Sequence, residues 1–467
     1  MNPQREYRFL EQTLSLCPQC LMRVDAKIVL KKNSVYLLKF CPVHGPQEEI
    51  LEKDGDYYLQ RMKYDKPATV SKTQTERTLG CPFDCGLCPE HEQHTCNGLI
   101  EITSECDLKC PVCYAESGQG RHLALEKIDS MLDFFVDSEF GGAEILQISG
   151  GEPTRHPDIL EILRRAKEKK IKYVLLNTNG LRMAEDEAFV KELSRFIGGF
   201  EVYFQFDGFD PKTDQRLRGR KVSELKQAAI QRLEQYGIPV TLVTTVDAGV
   251  NDHEIGRILE YGIRAKNIRG INFQPVAFFG RHHEAVTEGR ATLSGILEEI
   301  EKQSKGMLLK KDFFPLPCDV DRVAITYLYK TKKGFVPLTR NFKAEKHLPM
   351  IRNTFRFDPD DFLKDLAKNI FSTSCCDYLG FFSKLRKLIP QNYFLKTEQE
   401  KVAYVSENTF RVSVTSFLDA YNFDMKSMKK ECVHIITPDL KKIPFSAYNI
   451  LYRNRKTEAE TVPEKKQ

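Results

Sequence analysis

Three cysteines on one short loop constrain this chain more than any other feature. Cys106, Cys110 and Cys113 stand in C-x3-C-x2-C spacing within Glu105–Ser117. Thiolates so placed can hold three irons of a 4Fe-4S cube and leave the fourth iron open to an exogenous ligand. Clusters that only carry electrons normally take four cysteines, so the missing fourth is the informative part.

Composition narrows the setting. At 467 residues the chain can bury a sizeable core divided into two or three units. Ten of its 14 cysteines precede residue 114 in tight groups, which in a reducing compartment reads as metal ligation rather than disulfides. With 70 basic and 65 acidic residues the net charge is +5, too balanced to argue for a nucleic-acid partner. The first twelve residues do not resemble a signal peptide, and no run approaches the roughly 18 apolar residues of a spanning helix. A cytoplasmic location without a transmembrane segment is expected.

Two metal modules precede the loop. Residues 1–63 carry Cys17-Pro-Gln-Cys20 and, after a strand-like stretch, Cys41-Pro-Val-His44. Two knuckles joined by a hairpin bring four ligands together, as in zinc ribbons and rubredoxin-like iron sites, and zinc and mononuclear iron both remain open. Residues 64–97 hold a second C-x3-C-x2-C set, Cys81, Cys85 and Cys88, followed by Cys96. Pro89 follows the last cysteine of this set where Tyr114 follows Cys113, and Cys96 stands ready to close the cluster. The set therefore reads as an auxiliary 4Fe-4S centre. His91 and His94 are alternative fourth ligands, and a zinc site is the alternative for the segment.

Residues 98–283 alternate strand-like and helix-like runs. Strands are expected at Leu99–Thr103, Glu144–Ser149, Lys172–Leu176, Glu201–Phe206, Val240–Val246 and Gly270–Pro275, with amphipathic helices between them. The fold class is α/β, a partial (βα)6 barrel with an N-terminal metal-binding module and an α+β C-terminal extension over 284–454. A partial barrel would leave one side open. In such folds reactive groups gather at the carboxyl ends of strands, where the cysteine loop falls. Other strand ends offer Ser149-Gly-Gly-Glu-Pro153, Asn177-Thr-Asn179, Gln205-Phe-Asp207, Asn251 and Gln274, residue types that are also common in turns. Arg216, Arg218 and Arg220 read as a solvated face. Residues 455–467 read as a disordered tail.

With Tyr114 after the last cysteine and Gly150-Gly-Glu-Pro153 at the end of the next strand, the chain resembles radical S-adenosylmethionine (SAM) enzymes. The resemblance implies that Cys106, Cys110 and Cys113 hold a 4Fe-4S cluster whose open iron binds SAM. It implies that Gly150, Gly151, Glu152, Pro153, Asn177, Asn179, Gln205, Asp207 and Gln274 meet SAM or substrate. Reductive cleavage of SAM to a 5'-deoxyadenosyl radical then functionalises an unactivated carbon, with electrons from a partner such as ferredoxin or flavodoxin. No side chain is assigned as an acid or base.

The order of modules, together with Ser416–Asp424, Cys432 and Pro444-Phe-Ser-Ala-Tyr-Asn449, is similar to a subgroup of archaeal two-motif pterin methyltransferases and tetraether lipid synthases. That subgroup implies methyl transfer to a heterocycle such as a pterin, or carbon–carbon coupling of lipid chains. The substrate is accordingly a small molecule or a lipid. Val323 and Ser446 stand where the subgroup has cysteine, so a further cluster on Cys318, Cys375, Cys376 and Cys432 is not expected. A non-catalytic iron–sulfur electron-transfer protein is the competing class.

Overall fold

The computed structural model describes residues 6–282 except 68, 116 and 119, then 289–331, 334–340, scattered positions between 348 and 408, and 409–453. Cys375, Cys376 and the segment from 455 lie outside the described residues.

The amino-terminal module is a four-stranded antiparallel sheet of β1 (Arg8–Leu16), β2 (Arg23–Lys31), β3 (Ser34–Cys41) and β4 (Gly45–Glu52), paired in chain order. Its alternation is that of a half-buried sheet: Ala26, Ile28, Val35 and Leu37 turn inward with Leu51 and Tyr58.

The main sheet contains six parallel strands in sequence order: β5 (Asn97–Glu101), β6 (Ala143–Ser149), β7 (Ile171–Thr178), β8 (Phe200–Gln205), β9 (Val240–Val246) and β10 (Ile268–Pro275). All six expected strands form, within a few residues of the expected bounds. Their helices pack outside. The first, Leu125–Ser138, buries Ile128, Met131, Leu132 and Phe135, spaced three and four apart on one face, against Ile100, Leu146 and Ile148. Burying each such side chain stabilises by roughly 1.5–3 kcal/mol, so the helix is held by its packing.

The C-terminal residues do not form a separate sheet. β14 (Thr409–Thr415) pairs parallel with β10, and β12 (Asp319–Thr331) runs antiparallel to β14 with β11 (Phe314–Leu316) and β13 (Gly334–Pro337) beside it. On the opposite edge β15 (Val433–Ile436) pairs parallel with β5, and β16 (Lys442–Pro444) follows it. The path β11-β12-β14-β10-β9-β8-β7-β6-β5-β15-β16 therefore has C-terminal strands at both ends. The barrel side expected to stay open is flanked on both edges by this segment. No helix among the described residues is long and apolar enough to cross a membrane.

Candidate active site and metal centres

The Cys106 loop leaves the carboxyl end of β5 and is fixed by the end of β6. Ile102 N–H donates to Ser149 O at 3.0 Å, Gly151 N–H to Thr103 O at 2.8 Å and Glu152 N–H to Glu105 O at 2.7 Å. Gly150 has φ +139°, and a Cβ there would come within 2.3 Å of Thr103 O; one on Gly151 would come within 2.3 Å of Glu105 O. The two glycines let one backbone lie directly on the other. Their close approach is thus to the loop itself, although both also border the cavity in front of it.

Glu152 does not face that cavity. Its Oε1 accepts from Thr154 N–H (3.1 Å), Thr154 Oγ1 (2.7 Å) and Thr178 Oγ1 (2.7 Å), and its Oε2 from Asn179 N–H (2.7 Å). Burial raises the carboxyl to about 7 against the pull of these donors. The Glu152 carboxylate therefore ties the ends of β6 and β7 together, and the expectation that it meets SAM or substrate is corrected, because its donors are protein groups and it does not border the cavity. Pro153 is buried at the start of a short turn behind it.

Asp207 is likewise turned away. Its carboxylate meets Arg218 Nε at 2.6 Å and Nη2 at 2.7 Å, with Lys226 Nζ at 3.4 Å. Against the cost of burial, Arg218 and Lys226 bring Asp207 down to about 2. The expected cofactor contact from Asp207 becomes an indirect one, because Arg218 lies beside Cys110 and borders the cavity. Arg216 and Arg220 are exposed as expected, whereas Arg218 is buried. Asn251 is fully buried and donates to Asp207 O and Thr245 O, a turn role.

The remaining expected residues converge. A cavity of about 220 Å³ is bordered by Cys106, Cys110, Cys113, Gly150, Gly151, Asn177, Asn179, Gln205 and Gln274. Asn177 Nδ2 donates to Ser149 Oγ at 3.0 Å, and the Tyr114 hydroxyl meets the same oxygen at 3.2 Å. Asn179 Nδ2 donates to Asp107 at 2.6 Å. Burial pushes the Cys106 thiol up to about 12, with Glu152 and Asp107 adding to it. Buried thiolates need a cation beside them, so three cysteines bordering a polar cavity fit an iron–sulfur cluster.

Several residues escaped the sequence reading. Arg281 N–H donates to Cys113 O (3.0 Å) and its guanidinium reaches Cys110 O (3.2 Å) and Ser117 O, so it clamps the carbonyls of the cysteine loop. Tyr203, Asn272, Ser413 and Thr415 form a hydrogen-bonded wall: Asn272 Nδ2 donates to Tyr203 Oη (2.5 Å), and Asn272 Oδ1 accepts from Ser413 and Thr415 (both 3.1 Å). Arg411 and Asn97 also border the cavity. An arginine past the last barrel strand, or a Ser-x-Thr on a distant strand, carries no local signal for this role.

The second three-cysteine loop packs on the C-terminal segment, with Cys81 and Cys88 buried and Cys85 half-buried. Cys81 and Cys85 pack with Leu16, Leu418, Phe423, Met425 and Leu451. Cys85 N–H donates to Tyr452 Oη, which itself donates to Pro82 O, both at 3.0 Å. Neither these cysteines nor Cys88 border the cavity. Cys96, expected to close this cluster, instead sits with Cys318 and Cys432 in a different apolar group. His91 N–H donates to Cys88 O at 3.0 Å, and its ring is turned to His434, with Nε2 3.0 Å from His434 Nε2, while His94 lies 3.6 Å from Cys96 Sγ. The buried carboxylate acting on Cys85 is that of Glu431, whose Oε2 has no partner among the described residues.

In the amino-terminal sheet the four expected ligands come together. Cys17 Sγ and Cys41 Sγ lie 3.5 and 3.6 Å from His44 Nδ1, and Cys20 Sγ lies 3.8 Å from Cys41 Sγ. Against burial, hydrogen bonds from the Gln47 amide and the backbone of Cys20 and Gln19 bring Cys17 down to about 6.

A parallel barrel with a glycine-docked three-cysteine loop opening on a polar cavity at its carboxyl end defines a radical SAM enzyme, which uses a 4Fe-4S cluster and SAM. Residues 100–262 match the radical SAM superfamily, and residues 9–60 match the HMPTM N-terminal zinc ribbon domain. The 7,8-dihydro-6-hydroxymethylpterin dimethyltransferase of Methanocaldococcus jannaschii is 31% identical over 97% of this chain and 96% of its own length. A probable GTP 3',8-cyclase of Methanococcus vannielii is 27% identical over 45% of this chain and 68% of its own. Among solved structures, Streptococcus suis SuiB matches at 19% identity and TM-score 0.37, covering 45% of this chain and 46% of that one. The chain belongs to the radical SAM superfamily, in the family of the M. jannaschii pterin dimethyltransferase.

Proposed function

We propose that the chain is a cytoplasmic methyltransferase acting on a reduced pterin or a closely similar fused heterocycle. The observation that carries this reading is the chemistry of the cavity wall. Asn97, Gln147 and Asn272 add three side-chain amides to those of Asn177, Asn179, Gln205 and Gln274 already placed around it, and the Tyr173 and Tyr203 rings border it too. Asn97 Nδ2 donates to Gln147 (3.1 Å), but Asn97 Oδ1 is buried without a partner among the described residues. A buried acceptor left alone costs about 1–3 kcal/mol, and an amino or ring N–H of a pterin edge would satisfy it. An acyl chain would leave this row of amides unpaired, so the polar wall favours the heterocycle over a lipid.

Bound at Cys106, Cys110 and Cys113, the cluster and SAM supply reductive cleavage and removal of a hydrogen atom from an unactivated carbon. The chain's own residues do the rest. Arg281 and the β6 glycines hold the loop, Arg218 presents a fixed positive charge beside Cys110, and Asn177, Gln205 and Gln274 supply polar contacts between loop and substrate. The apolar floor formed by Leu316, Val323 and Ile325 keeps water out beneath the ring. Cys81, Cys85 and Cys88 hold an auxiliary cluster with the buried Glu431 carboxylate acting on Cys85, and the amino-terminal set holds zinc. A ferredoxin-like or flavodoxin-like protein delivers electrons.

The test is anaerobic turnover with dithionite, methyl-deuterated SAM and 7,8-dihydro-6-hydroxymethylpterin. Cleavage to the 5'-deoxyadenosyl radical leaves the methyl of that SAM on methionine, so a second SAM molecule is the methyl donor, and the proposal expects a pterin product carrying its deuterated methyl. Formation of 5'-deoxyadenosine with unmodified pterin would contradict the substrate assignment while leaving the radical chemistry intact.

A further inference from the structure

Cys96, Cys318 and Cys432 come from three distant parts of the chain and share one point. Cys96 immediately precedes β5, Cys318 lies in the turn between β11 and β12, and Cys432 immediately precedes β15. All three are fully buried, and their sulfurs lie within 4.8 Å of one another. A tetrahedral ion with metal–sulfur bonds near 2.3 Å sets its thiolates about 3.8 Å apart. In an iron–sulfur cube each thiolate binds a different iron, so the sulfurs stand farther apart. The molecule supplies its own standard: the amino-terminal Cys17, Cys20, Cys41 and His44 are gathered to the same 4.8 Å limit.

A nitrogen donor stands beside one of the three thiols: His94 is gathered with Cys96 and Glu144 and not with Cys318 and Cys432, so its ring has to turn from Asn353 O to complete the set. His94 Nε2 is 3.6 Å from Cys96 Sγ, with Asn353 O at 2.8 Å. Its Nδ1 faces Glu139 Oε2 at 3.5 Å, and Glu139 is paired with Lys442. A carboxylate behind the far ring nitrogen is the arrangement that orients metal-bound histidines.

We propose that Cys96, Cys318, Cys432 and His94 hold a single zinc ion that joins the two edges of the barrel sheet. The topology gives the ion its purpose. Cys318 belongs to the β11–β12 edge, whereas Cys96 and Cys432 belong to the β5–β15 edge at the other end of the sheet path. No strand of one edge pairs with a strand of the other among the described residues. Sulfur ligands from both edges bridge that seam, directly beneath Leu316, Val323 and Ile325 on the cavity floor. The ion is structural, with four protein ligands and no open position.

The test uses the full-length, anaerobically purified protein. Metal analysis should find two zinc ions per chain, falling to one in Cys318→Ser and in Cys432→Ser with iron unchanged. Zinc X-ray absorption of the unaltered protein, which needs no variant to fold, should average three sulfur and one nitrogen ligand. His94→Ala should lower the nitrogen share. One zinc per chain in the unaltered protein, loss of several irons with sulfide in Cys318→Ser, or an unchanged ligand average in His94→Ala would overturn the proposal.

Discussion

The two C-x3-C-x2-C loops share their spacing and differ in what they face. Cys106, Cys110 and Cys113 open on the cavity, beside two glycines that dock the loop onto β6. Cys81 and Cys85 pack on Leu418, Phe423, Met425 and Leu451 of the C-terminal segment, and Tyr452 bridges Cys85 N–H and Pro82 O. Only the first loop borders that cavity, so spacing alone does not assign chemistry.

The docking glycines offer the largest break in this contrast. Gly151→Ala would drive a Cβ into Glu105 O and displace the cavity loop. We expect a loss of more than about 3 kcal/mol of local stability and of the SAM-binding cluster. Iron analysis should show about four irons fewer per chain with the Cys81 loop still loaded.

Next is Arg218→Ala, which leaves Asp207 with Lys226 as its remaining cationic partner. Removing one member of a buried ion pair costs about 3–5 kcal/mol, read as a lower urea midpoint. Its effect should fall on SAM cleavage before it reaches the Cys81 loop.

Acid should act in the opposite sense. His91, three residues past Cys88, is buried against His434, and burial lowers it to about 4. The unfolded chain, with an ordinary imidazole near 6.5, binds a proton that the folded chain refuses between these values. Stability present above pH 6.5 is therefore lost progressively as pH falls toward 4, by about 2 kcal/mol at pH 5. Thermal unfolding at pH 5 against pH 7.5, with Gln at position 434 removing the histidine pair, should show the Cys81–Cys88 segment loosening first. The smallest effect is expected for Tyr452→Phe, which removes the hydroxyl between Cys85 N–H and Pro82 O and costs about 1 kcal/mol in the melting of that segment.

Much of this was legible in the sequence. The six barrel strands follow from apolar runs separated by amphipathic helices, and the Tyr114 and Gly-Gly-Glu-Pro signals distinguished the cavity loop from its near copy. Carboxylates were less legible. Glu152 and Asp207 sit at strand ends, where a sequence looks the same whether the partner is a ligand or a buried Thr178 or Arg218. Long-range pairing was not legible at all. Nothing local announces that β14 will extend the sheet beside β10 or that Cys96 will meet Cys318 and Cys432, because cysteine spacing does not fix connectivity.

The central claim is that the loop facing the cavity, and not the Cys81 loop, carries the SAM chemistry. The direct measurement is 5'-deoxyadenosine formed from SAM and dithionite by Cys110→Ala and, in parallel, by Cys85→Ala. The account predicts that Cys110→Ala forms none above background while Cys85→Ala retains cleavage. Cleavage by Cys110→Ala, or its loss only in Cys85→Ala, would contradict it.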